Sequence, residues 1–165
     1  MNIRPLQTAL AVLGLWLCAG TAAVAADYAT IHLNITVAKP ADEVWKKVGG
    51  YCDISAWLKV TCAYTSGSGD LGTVRQLTIR NLMVDEVMVG QTAHSYTYTQ
   101  AASTILYHGT LEVVPEGKNK SRINYSLFYD QAPLATDEAK AKDREQRTQR
   151  FTDALQAMKK LAEGK

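Results

Sequence analysis

The sequence predicts an α+β domain in which a meander of antiparallel strands packs against one long C-terminal helix. Three observations carry that prediction. Short apolar/polar alternations recur between residues 28 and 130. Turn residues such as Gly67–Gly72 and Pro115–Asn119 separate them. From Thr136 to Glu163 there is neither glycine nor proline, and alanine, lysine, glutamate, glutamine and arginine dominate. Period-two alternation marks half-buried strands, whereas a long run of strong helix formers marks a helix.

The chain before this domain has a different character. Arg4 is the only charge before Asp27, Ala9–Leu17 is almost wholly apolar, and Ala22–Ala26 are small residues. A basic start, a short apolar core and an A-x-A-like site together make a secretion signal. Cleavage is expected after Ala25, with Ala26 the near alternative. The segment is too short for the roughly 20 apolar residues of a spanning helix. Trp16 and Leu17 precede Cys18 where a lipid-modified cysteine wants small residues. Residues 1–26 are therefore read as a signal peptide and 27–165 as one domain, placed in the periplasm or secreted.

The domain's elements follow in order. Tyr28–Ala38 alternates, with Ile31, Leu33, Ile35 and Val37 on one face. Lys39–Val48 reads as a short helix with Pro40 in its first turn, acids after it and lysines at its end. Gly49-Gly50 stops it, and Tyr51–Trp57 is expected to form a second short helix. Strands are expected at Lys59–Thr65, Thr73–Arg80, Val84–Gly90, Ser95–Gln100, Ile105–Val114 and Arg122–Asp130. The final helix shows an apolar stripe of Phe151, Leu155, Met158 and Ala162. Extended backwards, the stripe reaches Thr148, Arg144 and Ala141.

Composition excludes several functions. Removing Arg4 lowers the net charge from +2 to +1, with no basic footprint for nucleic acid. His32, His94 and His108 are scattered, so neither a metal nor another cofactor is expected. No segment after the signal is long and apolar enough to span a membrane. Eight tyrosines outnumber two phenylalanines, which suits a pocket gripping a partly polar ligand. Cys52 and Cys62 could form a disulfide in an oxidising compartment or remain two thiols.

Three stretches carry a resemblance to a known superfamily. They are Ile35–Trp45 (ITVAKPADEVW), Ser66–Arg75 (SGSGDLGTVR), and Tyr107–Val113 with its hairpin and following helix. In this order they resemble the SRPBCC superfamily, with its START-like, polyketide cyclase-like helix-grip fold. The resemblance implies a curved antiparallel sheet of about seven strands wrapped on the long helix, two short helices after the first strand, and an elongated cavity between sheet and helix. It implies binding of a lipid, sterol or polyketide-like molecule. It also implies a gate at Gly67, Gly69 and Gly72, where glycine lets a loop swing.

The candidate ligand-binding residues follow from parity and from that resemblance. Lys59 lies near where hormone receptors of this fold hold a lysine against a ligand carboxylate. Tyr125 and Tyr129 share the inward face of the last strand, Tyr107 belongs to the inward set of its strand, and Tyr96 and Tyr98 share one face. Arg75, in phase with Leu77, and Arg144, on the helix stripe, offer forks for an anionic head group, or pair with surface acids. Phe151 completes the set. Asp85-Glu86 could supply a general base but are expected to be exposed acids. The leading expectation is an exported carrier of a hydrophobic small molecule. A cyclase or aromatase in the same cavity is the second, and an accessory protein docking onto an exported redox enzyme the third.

Overall fold

The computed structural model describes residues 25–165; the signal-peptide reading lies outside the described residues. The elements are β1 (Tyr28–Val37), α1 (Ala41–Val48), α2 (Ile54–Leu58), β2 (Thr61–Ser66), β3 (Val74–Ile79), β4 (Leu82–Thr92), β5 (Ser95–Thr99), β6 (His108–Pro115), β7 (Ser121–Asp130) and α3 (Asp137–Glu163). The strands form one antiparallel sheet in the order β1-β7-β6-β5-β4-β3-β2. Sheet neighbours are therefore chain neighbours, except that β1 closes on β7. This is the seven-stranded helix-grip architecture that the sequence implied.

Local chemistry explains the elements. In α1, Pro40 takes the N-cap rather than the first turn, with Asp42 and Glu43 at the positive end and Lys46 and Lys47 at the negative end. Ala41, Val44 and Val48 are buried. Gly49 follows because a Cβ there would lie 2.3 Å from the Trp45 indole. In α3, the Thr136 hydroxyl caps the first turn by accepting from the Ala139 amide at 3.1 Å, and Gly164 ends the helix in the left-handed region at φ 72°.

The helix α3 lies across the concave face, packing on β1, β7, α1 and α2. Its buried residues are Phe151, Ala154, Leu155, Met158 and Ala162. They meet Leu77, Met88, Leu111, Ile123 and Leu127 from the sheet in one apolar core. Cys52 and Cys62 are joined by a disulfide, with Cα atoms 5.5 Å apart, tying the start of the α2 turn to β2.

Several boundaries move by a few residues; α2 is Ile54–Leu58 rather than Tyr51–Trp57 and β4 is Leu82–Thr92 rather than Val84–Gly90, and two shifts bear on the site. Lys59 is not in a strand; it caps α2 with φ 56°. The strand expected from Ile105 starts at His108, because Leu106 adopts φ 48° and breaks the extended run.

Candidate functional site

The most unusual side chain in the interior is Arg75. It is fully buried, although arginine is rarely so. Register explains how it survives there. Arg75 on β3 stands directly opposite Glu86 on β4, and both side chains point inward. Arg75 Nε and Nη2 both donate to Glu86 Oε2, at 2.8 and 2.6 Å. Nη1 donates to the Tyr51 carbonyl. Gln100 Nε2 donates to the other carboxylate oxygen, Oε1, at 3.0 Å. The guanidinium also lies over the Tyr51 ring at 4.0 Å and near the Tyr98 ring at 4.8 Å. A buried ion pair is tolerable only when its polar atoms find partners, and here each guanidinium nitrogen and both carboxylate oxygens have one. Burial works against the arginine's charge, but Tyr96, Glu86 and Tyr98 together hold its pKa above the ordinary value.

Tyrosines continue the polar interior. Tyr98 on β5 reaches Tyr125 on β7, their hydroxyls 2.9 Å apart. The intervening strand makes this reach feasible because its residue in register is Gly109, where a Cβ would stand 2.3 Å from the Tyr98 hydroxyl. Tyr107 and Tyr129 face Arg147 of α3, whose guanidinium lies 5.3 and 4.4 Å from their ring centres. Asp143 holds that arginine at 2.8 Å. Burial pushes the Tyr98 and Tyr125 hydroxyls well above the ordinary tyrosine value, and Tyr107 and Tyr129 to about 12. All four stay neutral near pH 7.

These large side chains fill most of the space between sheet and helix. The elongated cavity implied by the resemblance is replaced by an internal one of about 90 Å³, bounded by Leu77, Tyr98, Tyr107 and Phe151, with Glu86 at its wall. Leu58, Ile79 and Arg150 line both this cavity and an open groove of about 880 Å³. The groove runs between the end of α2, the β3–β4 turn and α3. Lys59, Arg80 and Leu82 complete its rim.

The structure thus sorts the candidate residues. Leu77, Tyr98, Tyr107 and Phe151 are brought together at the cavity. Arg75, Tyr96, Tyr125 and Tyr129 are buried behind it. Lys59 stands outside, exposed on the groove. Arg144 also stands outside, donating to the Thr30 carbonyl at 3.0 Å. The inward arginine of α3 is Arg147, four residues before Phe151; positions three, four and seven before a residue share a broad face, and the stripe leans toward the fourth. The glycine loop is at the start of β3, whereas the cavity opens beside Ile79 at its end. Gly67, Gly69 and Gly72 have φ of 81°, 109° and 86°. They shape a tight loop in which Thr73 Oγ1 accepts from the Gly69 amide and donates to Asp70, and the loop does not cover the mouth. Glu86, expected to be exposed, is buried; Asp85 is the exposed neighbour.

In the polar interior, Tyr51, Gln100 and Arg147 escaped the sequence reading, as did Leu58, Ile79, Arg80 and Arg150 at the cavity and groove. Arg147 had a findable signal, the i−4 spacing to Phe151. Tyr51 and Gln100 lie at element ends, where no period indicates direction.

Residues 28–163 match the family described as polyketide cyclase / dehydrase and lipid transport. The chain belongs to this family. No curated protein matches it. Solved structures share its fold at low identity. A protein from Thermobifida fusca is 20% identical with a TM-score of 0.69, over 81% of this chain and 92% of that one. The Zhui aromatase/cyclase from Streptomyces sp. R1128 is 15% identical with a TM-score of 0.67, over 83% and 94%. Norcoclaurine synthase from Thalictrum flavum is 22% identical with a TM-score of 0.60, over 85% and 97%. Together with the cavity, membership gives the chain a fold built to bind a hydrophobic ligand.

Proposed function

We propose that this chain is an exported binding protein that carries a hydrophobic small molecule. The observation that carries the reading is the small cavity at Leu77, Tyr98, Tyr107 and Phe151, which shares Leu58, Ile79 and Arg150 with a groove wide enough for a ligand of a few hundred Å³. The lipid-transport branch of the family description agrees with it. Export is supported by the N-terminal signal pattern and by the Cys52–Cys62 disulfide, which persists in oxidising compartments.

A cyclase-like enzyme is less well supported by the interior. A general base needs a carboxylate free to take a proton. Glu86 is the carboxylate at the cavity, and both of its oxygens are engaged, one by Arg75 and one by Gln100. The tyrosine hydroxyls nearby are held neutral by burial and make poor bases near pH 7.

The test is to recover the full chain from the periplasm of its expressing cells and weigh it under native conditions. The expected result is a polypeptide beginning at Ala26 or Asp27 with a dissociable apolar molecule bound. An uncleaved chain retained in the cytoplasm would overturn export. Repeated ligand-free spectra, with no uptake of an added apolar fluorophore, would overturn the carrier.

A further inference from the structure

The mouth of the cavity has a charge pattern that neither the fold nor the core requires. Three separate elements each deliver one cation to the same groove: Lys59 from the end of α2, Arg80 from the β3–β4 turn, and Arg150 from α3. No acidic side chain lines that groove. Among the described residues, none of the three makes an ion pair or a side-chain hydrogen bond. Some other cations of the domain are matched, Arg75 by Glu86, Arg122 by Glu116, Lys140 by Asp27 and Arg147 by Asp143, and others such as Lys46 and Lys118 are not; what sets these three apart is that they converge on one groove. Asp153 lines an adjoining groove together with Lys59, Arg150 and Lys160, one acid among three cations.

The backbone reinforces the pattern. Lys59 and Arg80 have φ of 56° and 57°, and Leu106 is the other non-glycine residue with positive φ among the described residues. Side chains seldom adopt this region, and such strain gathers where a side chain must be aimed. Between the cations the walls are Leu58, Val60, Ile79 and Leu82, with Asn81 the one polar neutral side chain of that lining. Leu58 and Ile79 line the inner cavity as well, so apolar side chains lead inward from the charged rim toward Leu77 and Phe151.

Resting on the carrier reading, we propose that the ligand is an amphipathic anion. Its carboxylate or phosphate head sits among Lys59, Arg80 and Arg150, and its apolar end enters toward Leu77 and Phe151. Converging cations repel one another, and an anionic head relieves that repulsion while arginine forks give it direction. The cluster also raises the local concentration of anions at the entrance.

The experiment titrates the full mature chain with ten-carbon probes, each below its micelle concentration: decanoate, decyl phosphate, 1-decanol and decyltrimethylammonium. Calorimetry gives the affinities, for the native chain and for the Arg80→Gln/Arg150→Gln double variant. We expect decanoate, decyl phosphate or both to bind at least about ten-fold more tightly than decanol, and the cation to bind worst. The double variant should lose most of the anion's advantage yet keep its affinity for decanol, and added salt should narrow the gap. Which anion binds better distinguishes a fatty-acid-like from a phospholipid-like head. If decanol binds as tightly as the anions and the double variant changes nothing, the head-group assignment falls while the carrier stands. If no probe binds, both fall. Circular dichroism confirms that the double variant is folded.

Discussion

The two ends of the space between sheet and α3 treat the same residue types in opposite ways. Behind the cavity, Arg75 is stripped of water and its donors are taken up by Glu86 and the Tyr51 carbonyl. At the mouth, Lys59, Arg80 and Arg150 face an open groove without a carboxylate in contact. The interior arginine is an internal solution to an internal charge, and removing its partner should damage the fold. The mouth cations solve no internal problem, so removing them should leave the fold intact and affect only what enters. Burial follows the same division: Arg75 is fully buried, whereas Lys59, Arg80 and Arg150 are exposed.

The strongest way to break the comparison is at Glu86. Glu86→Met leaves the Arg75 guanidinium buried without its carboxylate, a loss expected to cost about 3–5 kcal/mol. Replacing both partners removes the stranded charge as well. The Arg75→Met/Glu86→Met double variant should therefore be more stable than Glu86→Met alone. Urea unfolding of the three proteins checks the order. A single variant as stable as the native chain would mean that the pair does not hold this interior together.

The next effect is a pH dependence of the tyrosine interior. Tyr107 has its folded pKa raised from 10 to about 12, chiefly by burial, and Tyr98 and Tyr125 move in the same direction. A group whose folded pKa is raised keeps its proton better in the folded state. Its contribution is fully present below pH 10 and is lost as pH climbs from about 10 toward 12. Within that window each such tyrosine removes about 1.4 kcal/mol per pH unit. Urea midpoints should hold steady up to pH 9 and fall steeply above 10. Tyr107→Phe should flatten that slope by about one proton. An equally steep fall in the variant would show that Tyr107 is not among the groups responsible.

How much of this was legible in the sequence depends on what sets each feature. Strand and helix identity follow from local period, so the seven strands, the two short helices and α3 were readable. So was the inward face of Tyr125 and Tyr129, because their strand alternates without interruption. In β4 valines fall on both faces, at Val84, Val87 and Val89. Its apolar pattern could not say which of Asp85 and Glu86 points in, and only pairing with Arg75 across the register decides it. Along α3 the choice between Arg144 and Arg147 depends on how the helix is rolled on the sheet, a tertiary property. The left-handed turns at Lys59 and Arg80 carry no glycine to announce them. The groove they frame was therefore invisible until the chain was folded.

The smallest expected effect is the most telling for the comparison. Lys59→Gln and Arg80→Gln each remove a charge that touches no carboxylate, so each should change stability by no more than about 0.5 kcal/mol. Their sign is informative too. If like charges repel at the mouth, neutralising one should leave the ligand-free protein equal or slightly more stable, most visibly at low salt where screening is weak. Thermal melts of the single variants at low and high salt read this directly. A loss of 2 kcal/mol or more in either would mean that the cation is held by the fold, and the division between a self-satisfied interior and an unsatisfied mouth would not stand.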